Sequence, residues 1–335
     1  MAVLRIPGRF YVFKGRILWF VFVGLFAWLF LSFLRNTFCH IRDDQFYPKV
    51  QFQLLDPDVS PVGVKNETFY LVVVVNSDPR KLENRQTIRE TWGSSHLQRE
   101  YTISNRDGVK WGVFFAMGKT GDTSLDSKTT REAQIHNDIL IGNFRDTYNN
   151  LIIKTFMSHR WTVTLKCKFV LKTDDDVYVR LNVFTHWLRL QGSPDRFYGG
   201  DIFKDYRVIR DRCSKWRKWA ISKAYFSENF YPPYCGGPFH VISSDIVPYL
   251  LSYTSLRRPF HVDDAYIGIA MRDLGVEAIG IPGFAANYYY KTIRREIRKR
   301  KNLKDALHGM VAIGHGIEPE LLRSIHDNYY PLTAA

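Results

Sequence analysis

The stretch Phe169–Arg180 reads Phe-Val-Leu-Lys-Thr-Asp-Asp-Asp-Val-Tyr-Val-Arg and predicts a buried strand that ends in three carboxylates. Open α/β sheets bind ligands at the carboxyl ends of their strands. Adjacent carboxylates repel one another, and a divalent cation that prefers oxygen ligands, such as Mg²⁺ or Mn²⁺, removes that conflict. In the run of three, Asp174 and Asp176 can reach one ion. The alternative is a solvated acidic turn that caps a helix starting near Val179.

The sequence around this stretch alternates between predicted strands and helices, which favours an α/β fold with a mostly parallel sheet flanked by helices. Phe69–Asn76 is a continuous run of apolar β-formers, typical of a central parallel strand. The loop after it contains neither Gly-x-Gly-x-x-Gly nor Gly-Lys-Ser/Thr, so neither a Rossmann dinucleotide site nor a P-loop is indicated. The remaining predictions up to residue 190 are a strand at Val109–Met117 and helices at Leu82–Trp92, Ser127–Ile141, Tyr148–Leu165 and Val179–Leu190.

The N-terminal region predicts a membrane anchor. Ile17–Leu34 carries no charge and is just long enough to span a bilayer. Four basic residues and no acidic residue precede it, so the positive-inside rule places residues 1–16 in the cytosol and the rest on the lumenal side. A cleaved signal peptide is disfavoured, because the apolar core is too long and no small-x-small site follows. We read residues 35–67 as a stem and residues 68–335 as one lumenal domain.

The chain of 335 residues has a formal net charge of +14, which suits anionic partners. No zinc-finger or RNP-type signature accompanies the charge, so nucleic acid is disfavoured. The four cysteines lack Cys-x-x-Cys spacing, which argues against a zinc site. Cys39 could pair between chains or stay free, and at most one intrachain bridge can form among Cys167, Cys213 and Cys235. Asn66-Glu-Thr is a glycosylation acceptor on the predicted lumenal side.

Three further groups of residues could carry chemistry, and each has an ordinary structural alternative. Asp263 and Asp264 form a second acidic pair, in which one carboxylate could act as a general base or simply cap the following helix. Tyr231–Pro238 is a rigid aromatic turn whose glycines allow close approach of a ligand, or a stiff connection within the core. His315 is a metal ligand or an isolated histidine. The basic run Arg294–Lys304 is most simply a solvated surface.

Several long motifs in this order resemble the β-1,3-galactosyltransferase family, glycosyltransferase family 31, over residues 69–324. The family also contains β-1,3-N-acetylglucosaminyltransferases and Fringe proteins. The matching motifs are Arg85-Gln-Thr-Ile-Arg-Glu-Thr-Trp-Gly93, Asp146-Thr-Tyr-Asn-Asn-Leu-Ile-Ile-Lys-Thr155, Lys172-Thr-Asp-Asp-Asp176, Lys218-Trp219 with Tyr231-Pro-Pro-Tyr-Cys235, and Val262-Asp-Asp-Ala-Tyr-Ile-Gly268.

This resemblance implies a GT-A fold, Mn²⁺ or another divalent cation, a UDP-sugar donor, a glycan acceptor, Golgi residence and an inverting transfer that forms a β-1,3 bond. It implies that Asp264 is the general base and that Asp174, Asp176 and His315 bind the metal. Residues 68–190 would form the nucleotide-sugar half and residues 191–335 the acceptor half. The implied donor-binding residues are Arg85, Arg89, Lys172 and Asp175, and the implied sugar- or acceptor-binding residues are Trp219, Tyr234, Gly236, Gly237 and Asp263.

The chain departs from the family pattern at three places. Asp263 stands where the family has Glu, Ala265 replaces a β-branched residue, and Cys235-Gly-Gly-Pro-Phe-His240 replaces Cys-Ser-Gly-Gly-Gly-Tyr. These departures leave open whether the donor sugar is galactose or an N-acetylhexosamine, and which glycan accepts it. The alternatives are an inactive glycan-binding or chaperone homologue, and a basic glycosaminoglycan-binding protein supported by charge alone. Whether the chain forms a homodimer also stays open.

Overall fold

The structure is a computed structural model that describes residues 9–40, 51–95, 109–286, 295 and 307–330, with side chains from residue 19 onward. The chain divides into two compact units, which are described separately. The first comprises Met1–Tyr47 and Val208–Ser227, and the second comprises Pro48–Arg207 and Glu228–Ala335.

The first unit contains one long apolar helix and a segment that is covalently joined to its end. Helix α1 runs over Arg9–Cys39, and Trp19–Cys39 is long and apolar enough to cross a membrane. A disulfide joins Cys39 to Cys213, 174 residues further along the chain. From the sequence we expected Cys39 to pair between chains or to stay free. The intrachain bond to Cys213 corrects that expectation. Cys167 and Cys235 are free thiols.

The second unit is built on a seven-stranded sheet in the order β3-β2-β1-β4-β7-β6-β8. The neighbours among β1 to β4 are parallel, β7 runs antiparallel to β4 and β6, and β8 is parallel to β6. The strands of this sheet are β1 (Thr68–Asn76), β2 (Trp111–Lys119), β3 (Ile139–Arg145), β4 (Lys166–Asp174), β6 (Tyr198–Phe203), β7 (Tyr234–Ser243) and β8 (Ala278–Gly280). A second, three-stranded sheet contains β5 (Tyr178–Val179), β10 (Ala312–Ile313) and β9 (Phe284–Ala285).

Helices cover both faces of the large sheet, which is the mostly parallel α/β arrangement that the sequence predicts. Asp122 begins α3 by accepting hydrogen bonds from the backbone N–H groups of Ser124 and Leu125, and Asn137 ends it in the left-handed region. The helices of this unit are α2 (Leu82–Glu90), α3 (Thr123–His136), α4 (Leu151–Thr162), α5 (Leu181–Leu190), α6 (Val247–Tyr253), α7 (Asp263–Asp273) and α8 (Pro319–Tyr329).

Strand β1 shows why the sheet lies at the centre of the unit. Val73 and Val75 pack into one buried apolar cluster and Val72 and Val74 into another on the opposite face. A strand buried on both faces must be apolar throughout, as its sequence is. The register pairs Asn76, the last residue of β1, with Asp174, the last residue of β4. Both strands therefore deliver their C-terminal loops to one edge of the sheet.

Part of the segment predicted as a stem contacts the second unit. Asp58 N donates to Ile141 O (2.8 Å), Val62 N donates to the Asn137 side chain (2.8 Å), and Arg160 forms an ion pair with Asp56 (2.6 Å). Asp58 and Val59 thus lie along the edge strand β3, and the second unit includes them. The predicted domain boundary at residue 68 stays a prediction.

Candidate active site

Asp174, Asp176 and His315 come together beside the end of strand β4. Two carboxylate oxygens and one ring nitrogen, one atom from each residue, all lie within 4.8 Å of one another. His315 is far from Asp174 and Asp176 in the sequence, and the small sheet brings the three together. Strand β10 pairs antiparallel with β5, and the backbone N–H of Ile317 donates to Asp176 O (3.0 Å). The structure thus brings together the three residues predicted as metal ligands.

The chemistry of this cluster fits a divalent cation. Asp176 Oδ1 is buried and has no hydrogen-bond partner among the described residues, so one acceptor is left for an ion or water. Burial raises the pKa of Asp174 to about 7; Lys172 opposes the rise, and the neighbouring Asp176 carboxylate adds to it. Two carboxylates and an imidazole are a donor set that Mn²⁺ accepts. A bound cation would relieve the repulsion between the carboxylates.

Lys172 joins the cluster of Asp174, Asp176 and His315 to strand β7. Its side chain is buried, and Nζ donates to Asp174 Oδ1 (2.8 Å) and to the carbonyl oxygen of Gly237 (2.5 Å). Burial disfavours its charge, but the carboxylates of Asp174 and Asp263 outweigh burial and raise the pKa of Lys172. These contacts make Lys172 a positioning residue. Direct contact of Lys172 with the donor stays a prediction.

Two histidines that the sequence did not single out as a pair lie behind Lys172. His159 on α4 and His240 on β7 are fully buried, with ring centroids 6.1 Å apart. Neither ring has a hydrogen-bond partner among the described residues. Burial and the charge of Lys172 lower the pKa of His159 to about 4 and that of His240 well below its usual value. Both rings are therefore neutral in the folded protein at neutral pH.

Asp263 and Asp264 occupy the first turn of α7, and the N-cap position itself belongs to Val262. Asp263 is buried and accepts a hydrogen bond from Thr155 Oγ1 (2.9 Å). Asp264 is half-buried and accepts from the backbone N–H of Ala265 (2.8 Å). Burial and the Asp263 carboxylate raise the pKa of Asp264 to about 7. Asp263 is thus fixed by the protein, and Asp264 is the carboxylate available for chemistry.

Asp175 hydrogen-bonds to the loop that follows β1. Its carboxylate is buried and accepts from Ser77 Oγ (2.8 Å) and from Lys81 Nζ (2.8 Å), while its carbonyl oxygen accepts from Asn84 (3.1 Å). Both carboxylate oxygens already have protein partners. The contacts favour a role in holding the loop between β1 and α2 over the direct donor contact predicted for Asp175.

Arg85 and Arg89 form a buried ion-pair network with Glu132. Arg85 is 1% exposed; its Nη2 lies 2.6 Å from Glu132 Oε2, and its Nη1 donates to Asp78 O (2.7 Å). Arg89 contacts Glu132 Oε1 (2.9 Å) and Asp138 Oδ2 (2.7 Å). These contacts favour a structural role for both arginines, which fix α2 and the preceding loop. Their predicted contact with the donor stays a prediction.

The glycines of the aromatic turn are explained by packing against neighbouring groups. A Cβ at Gly236 would lie 2.7 Å from the Phe203 ring, and a Cβ at Gly237 would lie 3.1 Å from Asp264 Oδ2. Gly237 therefore leaves room for the Asp264 carboxylate, whereas Gly236 allows tight packing. Tyr234 is buried, with its ring edge-to-face against Phe203 (5.6 Å), so its side chain is mainly a core group.

The Asp146–Thr155 motif supports both acidic groups, a role that the sequence did not reveal. Lys154 is buried, pairs with Asp146 (2.8 Å) and donates to Ser77 O (2.7 Å), next to the side chain that holds Asp175. Thr155 holds Asp263. The motif was visible in the sequence, but these contacts depend on the packing of α4 under the sheet.

The remaining predictions concern Asn66, Trp219 and the basic run at 294–304. Asn66 is exposed on a short 3₁₀ helix, as a glycosylation acceptor requires. Trp219 belongs to the first unit, so its predicted acceptor contact stays a prediction. The basic run at 294–304 lies outside the described residues except for Arg295.

The chain is similar in sequence to known galactosyltransferases. A family model described as galactosyltransferase matches residues 83–282. The chain is 31% identical to β-1,3-galactosyltransferase 1 of Mus musculus over 252 residues, covering 74% of this chain and 73% of that protein. It is 30% identical to β-1,3-galactosyltransferase 5 of Pan troglodytes over 209 residues, covering 62% of this chain and 67% of that protein. A solved glycosyltransferase involved in glycosylation of the PBCV-1 major capsid is similar at 9% identity and a TM-score of 0.36, covering 76% of this chain and 98% of that one.

Proposed function

Because the chain belongs to the galactosyltransferase family, and is therefore a glycosyltransferase, we propose its reaction in more detail. It transfers galactose or an N-acetylhexosamine from a UDP-sugar to the 3-hydroxyl of an acceptor glycan, with inversion at the anomeric carbon. The observation that carries the proposal is the convergence of Asp174, Asp176 and His315 within 4.8 Å, linked through Lys172 and Gly237 to the neighbourhood of Asp264.

In this proposal Asp174, Asp176 and His315 would hold a divalent cation such as Mn²⁺. When bound, the ion supplies positive charge that stabilises the leaving UDP. Lys172 keeps Asp174 oriented from the protein side. Asp175, Ser77 and Lys81 fix the loop at the end of β1, which borders the same edge of the sheet.

Asp264 is proposed as the general base. Its pKa near 7 means that the carboxylate is ionised in part at neutral pH and can accept a proton from the acceptor hydroxyl. Inverting displacement needs one such base on the attacking side. Asp263, which Thr155 holds in place, keeps the pKa of Asp264 high and is not itself needed as an acceptor of the proton.

We also propose that helix α1 anchors the enzyme as a single-pass type II protein of the Golgi membrane. The basic residues before the helix favour a cytosolic N-terminus. The disulfide at Cys39 supports a lumenal position for the rest of the chain, since disulfides persist in oxidising compartments.

The test is UDP release by the full-length protein in detergent, with UDP-galactose, UDP-N-acetylglucosamine and UDP-N-acetylgalactosamine in turn. Each donor is assayed with Mn²⁺ or EDTA and with a panel of glycan acceptors. We expect one donor to give UDP release that depends on both the metal and an acceptor. A folded protein that neither releases UDP nor binds UDP in the presence of Mn²⁺ would refute the proposal and favour a glycan-binding homologue.

A further inference from the structure

The segment Asp211–Trp219, here called the Trp loop, is fastened to the last turn of helix α1. Cys213 forms the disulfide with Cys39. The backbone N–H of Arg212 donates to Cys39 O (2.8 Å), and Arg212 Nε donates to Phe38 O (2.5 Å). Asp211 forms an ion pair with Arg35 (3.0 Å). The Trp loop therefore lies where the apolar helix ends.

The Trp loop presents stacked indoles with cations on their faces. The rings of Trp216 and Trp219 stack with centroids 5.2 Å apart. Lys215 Nζ lies 4.9 Å from the Trp216 ring and Lys218 Nζ lies 4.2 Å from the Trp219 ring. Trp216 is 48% exposed, so its indole offers an apolar face and a polar N–H group to a partner.

The charge around the loop is mostly positive. The segment Val208–Ser227 contains one acidic residue, and its basic residues are Arg210, Arg212, Lys215, Arg217, Lys218 and Lys223. Phosphate groups are the complementary partner for such a surface. Tryptophan concentrates at membrane–water interfaces, where its ring faces the acyl region and its N–H faces water, and lysine and arginine side chains extend from there to lipid phosphates.

We propose that the Trp loop docks into the phospholipid headgroup layer on the side of the membrane where helix α1 ends. The exposed apolar surface of the helix continues to Phe38, next to the disulfide, so loop and helix meet the bilayer as one surface. The inference rests on the proposed membrane anchor. In this arrangement the loop fixes the depth and rotation of the helix end, because the disulfide prevents the two from separating.

The test measures the depth of Trp216 in full-length protein reconstituted in phosphatidylcholine nanodiscs. Lipids brominated near the headgroup or deep in the acyl chain quench nearby indoles, and the emission of Trp216 is obtained by subtracting Trp216→Phe from the wild type. We expect shallow bromine to quench this difference signal roughly twofold more than deep bromine does. The ratio of quenching by shallow bromine to quenching by deep bromine should stay above one when an anionic lipid is added. Docking needs only lipid phosphate, which zwitterionic and anionic lipids both carry.

A matched variant, Trp28→Phe, reports on the anchor itself, because Trp28 lies exposed within the apolar helix. If the Trp28 signal is quenched and the Trp216 signal is not, the helix spans the bilayer and the docking inference is wrong. If neither signal is quenched, the anchor proposal has failed and the inference fails with it. Stronger quenching of Trp216 by deep bromine would also overturn the inference, since it places the loop inside the hydrocarbon.

Discussion

Asp264 and Asp174 show how one protein prepares two identical side chains for different roles. Both have pKa values of about 7, mainly because burial disfavours their charged forms. Asp174 also contacts Lys172 and lies near Asp176 and His315, which suits a cation. Asp264 lies on a helix start beside the glycine turn and has no cation in direct contact in the described structure. The neighbours, and not the carboxyl group, decide the role.

Asp264→Asn is expected to lower kcat for transfer by roughly 10²- to 10⁴-fold, because an amide cannot accept the acceptor proton. For the wild type, kcat/KM should rise with pH through about 7 as Asp264 loses its proton. Asp263, Lys172 and Tyr234 are the ionisable neighbours that influence this titration. Mn²⁺-dependent UDP binding, measured by calorimetry, should be unchanged in the variant. A variant with the wild-type rate would show that the base lies elsewhere.

Glu132→Gln is expected to lower the free energy of unfolding by roughly 3–5 kcal/mol, because it leaves two buried or half-buried guanidinium groups without their shared carboxylate. The control is Asp56→Asn, which breaks the exposed pair with Arg160 and should cost about 1 kcal/mol or less. Urea unfolding of the detergent-solubilised proteins measures both. Equal losses in the two variants would contradict the structural role of the network.

At the scale of elements, helix α7 and strand β7 must approach closely for the site to form. A Cβ at Gly268 would lie 2.2 Å from the Tyr234 Cβ, so the helix can cross the strand here only with glycine. This crossing places the first turn of α7, with Asp264, beside Gly237. The contact between the two elements therefore determines where the proposed base lies.

We expect Gly268→Ala to destabilise the protein by roughly 1–3 kcal/mol and to reduce activity, because the helix must move away from β7. Gly280→Ala is the matched control, since its Cβ would meet Ile202 at an ordinary 3.5 Å. Thermal unfolding and transfer rates are compared for both. If the two alanine variants behave alike, the close approach at Gly268 is not what positions the helix.

The sequence predicts the elements that have a local signal and misses those that depend on partners. Strand β1 was predicted to within one residue, because its apolar run is continuous. The predicted strand Phe169–Thr173 is the buried part of β4, which itself starts three residues earlier, at Lys166. The first three residues of β3, Ile139–Ile141, were predicted as the end of a helix, because they extend the apolar pattern and nothing in the sequence fixes the left-handed Asn137 that ends α3. The acidic clusters could also be predicted, because Asp174–Asp176 and Asp263–Asp264 are each contiguous in the sequence. The side chains that hold these clusters could not be predicted, because the contacts join residues far apart in the sequence. Arg85 and Glu132 are separated by 47 residues, and Thr155 and Asp263 by 108.

At the scale of the whole molecule, the neutral His159–His240 pair couples folding to pH. The pKa of His159 falls from 6.5 to about 4 on folding, so between these values the unfolded chain binds a proton that the folded chain does not. Stability contributed by this group is complete above pH 6.5 and is lost as the pH falls, by about 1.4 kcal/mol per pH unit. The raised pKa values of Asp174 and Asp264 act in the opposite direction over the same range.

His159→Leu isolates the histidine contribution. Between pH 6.5 and pH 5 the wild type should lose about 2 kcal/mol that the variant does not lose, because the carboxylates are common to both proteins. The measurement is the change of the urea midpoint with pH, compared between the two proteins. Identical pH dependence in wild type and variant would mean that His159 is not held neutral by folding.

The bond between Cys39 and Cys213 closes the chain between them into a covalent ring. One proteolytic cut in the segment 40–67 opens that ring, yet the domain stays bound to helix α1 through Cys213. Shedding of a free enzyme by such a cut therefore needs a reductant as well as a protease. The redox state of the compartment, and not protease access alone, would decide whether this enzyme works at the membrane or is secreted.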